Sequence, residues 1–364
     1  MNSGVRLSIR FVTRKWPPAV GGMETFSACL VRSLRAFAQV DVIALPGREG
    51  GAPPTAMALL RFGFATSVRL LLAEPRDVTH VGDMASWPLA LIARFRSRRT
   101  RIALSANGSD VSFPFRDGVL PQLYGLYLKV AARLLPSAIV IANSTATAEA
   151  AERYGFKHTA VVPLATDVRA STSIGPQGTK LLFVGRITAR KGCGWFIQNV
   201  LTHLPEEITL RVAGTVWDED ERAALDNSRV TFLGPVYGDV LIREYSSALC
   251  VVIPTRDFEG FGLTAVEAAA CGGVVLASCH SGLKEAVIDG VTGFHLPSGD
   301  PEAWAQKIRD IARWQPDQRK AFVANAMATT IRHYSWERVA RETIQAYSRH
   351  TLDFPIVGAA GATN

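Results

Sequence analysis

The chain has 364 residues, 48% of them apolar and 20% charged, which is the composition of a globular protein large enough for two domains with full cores. No run of eighteen uncharged apolar residues occurs, which argues against a membrane-crossing helix. The formal net charge of +8 is uneven: residues 1–165 carry 20 Lys/Arg against 10 Asp/Glu, while residues 166–364 carry 20 against 22, so the basic excess lies in the first half.

That half is expected to form strands over 7–12, 40–44, 78–81, 102–105, 138–142 and 160–162, alternating with helices over 24–38, 89–96, 124–134 and 145–154. The opening stretch is too short, and too interrupted by Arg6 and Arg10, for a signal peptide. After the first strand, Gly21 and Gly22 precede a helix, where bare backbone N–H groups can approach an anion. Taken alone, the pair reads more readily as a plain structural turn. It is not G-x-G-x-x-G, so no nicotinamide or flavin cofactor is indicated. Residues 59–64 mix Leu, Phe and Arg, as either a membrane-interface segment or a buried helix would. Arg94, Arg96, Arg98, Arg99 and Arg101 make the densest basic cluster. An anionic membrane surface fits this half better than nucleic acid, since no zinc-finger spacing or aromatic RNA-binding motif accompanies it; a solvated arginine face is the plain alternative.

Residues 170–178, rich in Ser, Thr, Gly and Pro, read as a linker. A second series follows, with strands over 180–184, 208–213, 230–232, 249–253 and 274–277 and helices over 195–201, 240–246, 264–270, 301–314 and 316–333. The expected organisation is an N-terminal domain over 1–168, a C-terminal domain over 169–335, a helix over 336–350 that crosses back to the first domain, and a small polar tail over 351–364. Both domains read as doubly wound α/β layers on parallel sheets. The five cysteines show no C-x-x-C spacing, which argues for a reducing cytoplasm and against a zinc site.

Three segments of the second half carry chemistry. Arg186 and Lys191 stand at opposite ends of the loop after strand 180–184, where two fixed cations can neutralise a departing diphosphate without a metal ion. Solvation is usual for surface cations, but strand C-terminal ends are where α/β folds bind ligands. Asp218-Glu219-Asp220 has a metal-binding spacing, yet its setting fits the acidic start of a helix. Most informative is the segment 258–273. Glu259 and Glu267 bracket the turn Gly260-Phe261-Gly262-Leu263-Thr264, which opens into an alanine-rich helix. A helix start offers unpaired N–H groups to a phosphate. Glu267, one turn inside, is placed for a ribose diol, and Glu259 for what lies beyond the phosphates. That order is the one a nucleotide sugar needs.

With Asp289-Gly290-Val291-Thr292-Gly293 following, these motifs resemble those of glycosyltransferase family 4 over about residues 5–350. The resemblance implies a retaining enzyme of the GT-B fold, α/β with two Rossmann-like doubly wound parallel-sheet domains facing across a cleft. It implies no metal and no cofactor beyond a nucleotide diphosphate sugar as donor. Arg186 and Lys191 would hold the diphosphate and Glu267 the ribose. Glu259, with Phe261, Gly262, Leu263 and Thr264, would contact the donor sugar and phosphate, and Gly21-Gly22 would close over the phosphates. The base would be read by backbone groups around 233–236. In the implied mechanism the acceptor hydroxyl attacks on the face from which the nucleotide leaves, and the leaving phosphate takes the proton. Glu259 then positions and stabilises charge.

Two departures stand out. Asn107-Gly108-Ser109-Asp110 replaces the family's His-Gly-x-Asp, so Asn107 is expected to hydrogen-bond the donor sugar without titrating. Pro163-Leu164-Ala165-Thr166-Asp167 stands where Pro-Asn-Gly-x-Asp is usual. The expected function is transfer from a UDP- or GDP-linked sugar to a saccharide or lipid-linked acceptor in bacterial polysaccharide or glycolipid synthesis. The expected place is the cytoplasm, peripheral on the inner face of the membrane. A soluble GT-B enzyme for small-molecule acceptors and a non-catalytic sugar-nucleotide-binding paralogue are the alternatives.

Overall fold

The computed structural model describes residues 6–19, 22–48, 54–168 and 178–348. Gly21, nearly all of the 170–178 segment and the tail 351–364 lie outside the described residues. The chain divides into two compact units, one of residues 1–143, 147–162 and the stretch from Trp336 on, the other of residues 144–146 and 163–335.

In the first unit, β1 (Ser8–Trp16), α1 (Gly22–Leu34), β2 (Gln39–Pro46), α2 (Ala56–Leu72), β3 (Val78–Val81), α3 (Trp87–Arg96) and β4 (Arg101–Ala106) follow one another. The single turn α4 (Ser109–Ser112), α5 (Val119–Leu134), β5 (Ile139–Ala142), α6 (Thr145–Glu152) and β6 (His158–Val161) complete the series. The sheet order is β2-β1-β3-β4-β5-β6, with every neighbouring pair parallel. Every residue of β3 and β5 is buried, because helices cover both faces of a parallel sheet. The chain leaves β1 in one direction and returns across it to β3, so the winding reverses between those two strands.

The second unit runs β7 (Lys180–Val184), the single turn α7 (Cys193–Trp195), β8 (Thr209–Ala213), β9 (Val230–Gly234), α8 (Gly238–Ser247), β10 (Val251–Ile253) and α9 (Leu263–Ala270). Then come β11 (Val275–Ser278), α10 (Leu283–Ala286), β12 (Gly293–Leu296), α11 (Pro301–Ala312) and α12 (Pro316–His333). Its order is β12-β11-β10-β7-β8-β9, also parallel, with the reversal between β7 and β10. Trp304 of α11 is fully buried and meets Phe196 edge-on at 5.9 Å in this core. The six-stranded parallel sheets are those the GT-B resemblance implies.

Three details depart from the sequence reading. The helix expected over 195–201 is α7 followed by a π-helical turn (Phe196–Val200) and a 3-10 turn (Leu201–His203). Segment 59–64 lies inside α2, a 17-residue helix capped by Thr55, whose side chain accepts from Ala58 N. A sixth strand, β12, was not expected; its first residue, Gly293, looks like a strand breaker. It is glycine because a Cβ there would stand 2.7 Å from the Val275 carbonyl oxygen of the neighbouring strand.

Helix α13 (Trp336–Ser348) belongs to the first unit. Its buried residues Trp336, Val339, Ala340, Thr343 and Tyr347 recur at helical spacing, and α13 packs on α1 and on the sheet, with Trp336 and Phe26 rings 6.1 Å apart. Tyr347 Oη lies 2.7 Å from Nδ1 of His80, and Ser105 Oγ lies 2.8 Å from its Nε2. Burial pushes His80 down to about 3, so it is a neutral hydrogen-bonding core residue. Among the described residues no helix is long and apolar enough to cross a membrane.

Candidate functional site

The reversal between β7 and β10 sends two loops, 185–192 and 254–262, from neighbouring strand ends. They are stitched together. Arg256 N donates to Arg190 O at 2.8 Å, and Arg190 Nη1 donates to Phe258 O at 2.7 Å. Gly192, left-handed at φ 74°, lies so close to the Pro254 carbonyl that no Cβ fits. Lys191 Nζ meets Glu259 Oε2 at 2.5 Å, and Arg190 Nη1 lies 3.5 Å from the same oxygen. The Glu259 side chain is 13% exposed. Burial opposes its ionisation, but Lys191, then Arg190 and Arg186, outweigh that and hold its carboxyl below the ordinary range. Arg186 is exposed and its guanidinium lies 4.9 Å from the Trp217 ring centre. Three cations thus act on one carboxylate.

The segment after Glu259 is equally constrained. Gly282 N donates to Glu259 O at 3.0 Å, with Gly282 pressed on the Gly260 carbonyl. Phe261 is buried, its ring 5.9 Å from that of Tyr334. Gly262 has φ 98° and opens α9; a Cβ there would run into the Leu283 side chain. The half-buried Leu263 and Thr264 form the first turn, whose N–H groups lack intrahelical acceptors. One turn on, Glu267 is half-buried, and its carboxylate accepts from Oη of the buried Tyr245 of α8 at 3.4 Å. No ion pair reaches Glu267 among the described residues. Burial pushes this carboxyl up to about 7, against the weaker effect of the Tyr245 bond.

In the first unit, polar groups gather at the ends of β1, β3 and β4. Asn107 N donates to Asp110 Oδ1 at 2.8 Å, and Asn107 Nδ2 donates to Gly82 O at 3.2 Å. Gly108, at φ 96°, makes the turn between them. Asp110 also accepts from Met84 N at 3.3 Å. Burial raises Asp110 to about 6, with Asp83 adding to the shift and the backbone bonds opposing it. Asp83 is fully buried and accepts from Arg14 Nε at 3.0 Å. Gly22 is exposed at the start of α1, with nothing within 4 Å of an added Cβ.

Residues 20–169 match the Glycosyltransferase Family 4 model, and residues 178–313 match that of Glycosyl transferases group 1. The chain belongs to glycosyltransferase family 4. D-inositol 3-phosphate glycosyltransferase from Xylanimonas cellulosilytica is 32% identical to this family-4 chain over 208 residues, 53% of the chain and 49% of that relative. The chain spans about half the length of the curated relatives it matches. Sucrose-phosphate synthase from Thermosynechococcus elongatus aligns with TM-score 0.74 and 21% identity over 94% of this chain and 98% of its own. Anabaena HepE in complex with UDP-glucose aligns with TM-score 0.72 and 21% identity over 94% of this chain and 99% of its own. The fold of the family-4 chain is therefore GT-B.

Within it, Arg186, Lys191, Glu259, Phe261, Gly262, Leu263, Thr264 and Glu267 all lie in the second unit, on the two stitched loops and α9. Asn107 and Gly22 lie in the first. Asp218 caps a 3-10 turn, accepting from Asp220 N at 3.3 Å, and Glu219 pairs with Arg222 at 2.5 Å. Sequence reasoning gave no role to Arg190, Tyr245 or Asp83, and named Asp110 only as the end of the Asn107 motif. The last two carried a signal, being acids just beyond strand ends; Tyr245 carried none.

Proposed function

We infer that this chain moves a sugar from a UDP- or GDP-linked donor to a saccharide or lipid-linked acceptor, with retention of configuration and without a metal ion. The observation that carries this reading is the contrast between two carboxylates across the start of α9: Glu259, locked to cations, and Glu267, under-bonded. A ribose diol donates two hydrogen bonds, which is what a half-buried carboxylate with one 3.4 Å phenol partner lacks. A diphosphate at the α9 start faces Arg186, Arg190 and Lys191, of whose charges Glu259 offsets one. That excess stabilises a departing nucleotide as its charge develops, the task a divalent ion performs elsewhere.

On this reading the acceptor hydroxyl attacks from the side the diphosphate leaves, and its proton passes to the leaving phosphate oxygen. Glu259 keeps the cations in place and contacts the sugar, and Asn107 hydrogen-bonds a sugar hydroxyl. The name of the Xylanimonas relative and the UDP-glucose held by HepE lend support to a nucleotide-sugar donor. Peripheral contact with an anionic membrane during polysaccharide or glycolipid synthesis belongs to the same reading.

A thermal-shift screen of UDP, GDP and their sugars tests it. A matched nucleotide near saturation is expected to raise the unfolding temperature by about 3–8 °C, and Glu267→Ala to remove the rise. A wild type that no nucleotide stabilises, or a variant that responds equally, overturns the donor site. The anomeric configuration of the product, read by proton NMR, tests retention separately.

A further inference from the structure

Helix α2 buries only Thr66 and Leu70. Met57, Leu60, Phe64, Val68 and Leu71, three or four residues apart, form an apolar stripe in water; Leu60 is 69% and Phe64 75% exposed. Helix α5 repeats the arrangement. Pro121, Gly125, Leu128 and Ala131 are buried, while Leu120, Leu123, Leu126 and Val130 are exposed. Helix α3 touches both α2 and α5 and carries Phe95, 83% exposed, in its last turn. Arg96 Nε donates to Leu71 O at 2.9 Å, tying the ends of α3 and α2 together.

These helices make the β2→β3, β3→β4 and β4→β5 connections, which all advance the same way across the sheet. Right-handed crossovers therefore place them on one face, running antiparallel to the strands, with their C-terminal ends along one edge. Exposed Arg96, Arg98, Arg99 and Arg133 collect at that edge. The sequences of α2, α3 and α5 hold six Lys/Arg and not one Asp or Glu. Two apolar stripes on basic helices that carry no carboxylate, with Glu74 the exposed acid just beyond the end of α2, exceed what a water-facing surface needs.

We propose that the α2–α3–α5 face docks on an anionic bilayer, with its stripes in the boundary between headgroups and acyl chains and its arginines on lipid phosphates. The proposal rests on the lipid-linked acceptor reading above and gives that reading its surface. A second copy of the chain is the competing occupant, but pairing through these helices would set six cations against six with no carboxylate on the helices themselves.

The wild type is expected to sediment with vesicles containing roughly one-third phosphatidylglycerol, and about tenfold less with pure phosphatidylcholine vesicles. The double substitution Leu60→Ser and Phe64→Ser lowers binding to the anionic vesicles by about tenfold or more at unchanged salt. Arg98→Glu with Arg99→Glu lowers it too and flattens its salt dependence. All four side chains are exposed, and unfolding temperatures verify that the variants fold. Hydrogen exchange of 56–72 and 119–134 slows on anionic vesicles. No vesicle binding, or binding that the Leu60/Phe64 pair leaves unchanged, overturns the proposal. A dimer in equilibrium sedimentation that the same pair disrupts assigns the face to a second copy and overturns it as well. The nucleotide thermal shift, run without vesicles, separates the two readings: if it survives while vesicle binding is absent, only the docking face falls.

Discussion

Glu267 and Glu259 are the same residue type on one short segment, yet their surroundings drive them apart. Lys191 keeps Glu259 ionised, whereas Glu267 has burial without a cation and is pushed up to about 7. The consequence for stability has a definite sign. Between the ordinary carboxyl value of 4.5 and about 7 the folded protein holds a proton that the unfolded chain releases, so stability falls as pH rises through that window. Glu267→Gln never ionises. Its stability relative to wild type should rise by up to about 3 kcal/mol across the window and stay level above it. Urea denaturation at several pH values reads this directly, and parallel curves for the two proteins would refute the burial of that carboxyl. The sequence pointed to both glutamates because they flank a glycine turn. It was silent on Arg190 and Tyr245, whose contacts with Glu259 and Glu267 close over 69 and 22 positions of chain.

Among the elements, α9 depends on Gly262. A side chain there must adopt φ 98°, and its Cβ must displace Leu283 of α10. Gly262→Ala is expected to cost about 2–4 kcal/mol, from backbone strain and the forced shift of a packed neighbour. Because the same turn aims the first N–H groups of α9, the variant should also lose most of its nucleotide thermal shift. An unchanged melting curve would show that the turn relaxes freely. Long periodic elements such as α12, and the β-rich apolar runs of β3 and β5, were legible in the sequence because burial on a fixed period leaves a pattern. β12 was not, since the glycine its pairing requires is the residue that marks a break. Nor was the broken helix over 193–203, whose π turn adjusts to packing around Trp304 that local composition does not record. The segment 59–64 left two readings open, and the exposure of Leu60 and Phe64 rejects the buried one.

At the level of the whole molecule, the two units were legible as two series of alternating elements. The first is not contiguous in sequence, because α13 supplies Tyr347 to the buried His80 and Trp336 to Phe26. Residues 163–335, expressed alone, should therefore melt cooperatively. Residues 1–162 should not, unless 336–348 are joined to them through a flexible linker. Calorimetry of the three polypeptides checks this; a cooperative transition for 1–162 alone would show that α13 is dispensable. The arrangement also sets an order of events on the ribosome. The second unit can close as soon as its own strands emerge, but the earlier-made strands must wait while 173 further residues are added, about 10–35 s at ordinary elongation rates. During that interval the sheet face later covered by α13 is open. The portion translated first matures last, and it is the portion for which a nascent-chain chaperone has the longest time to act.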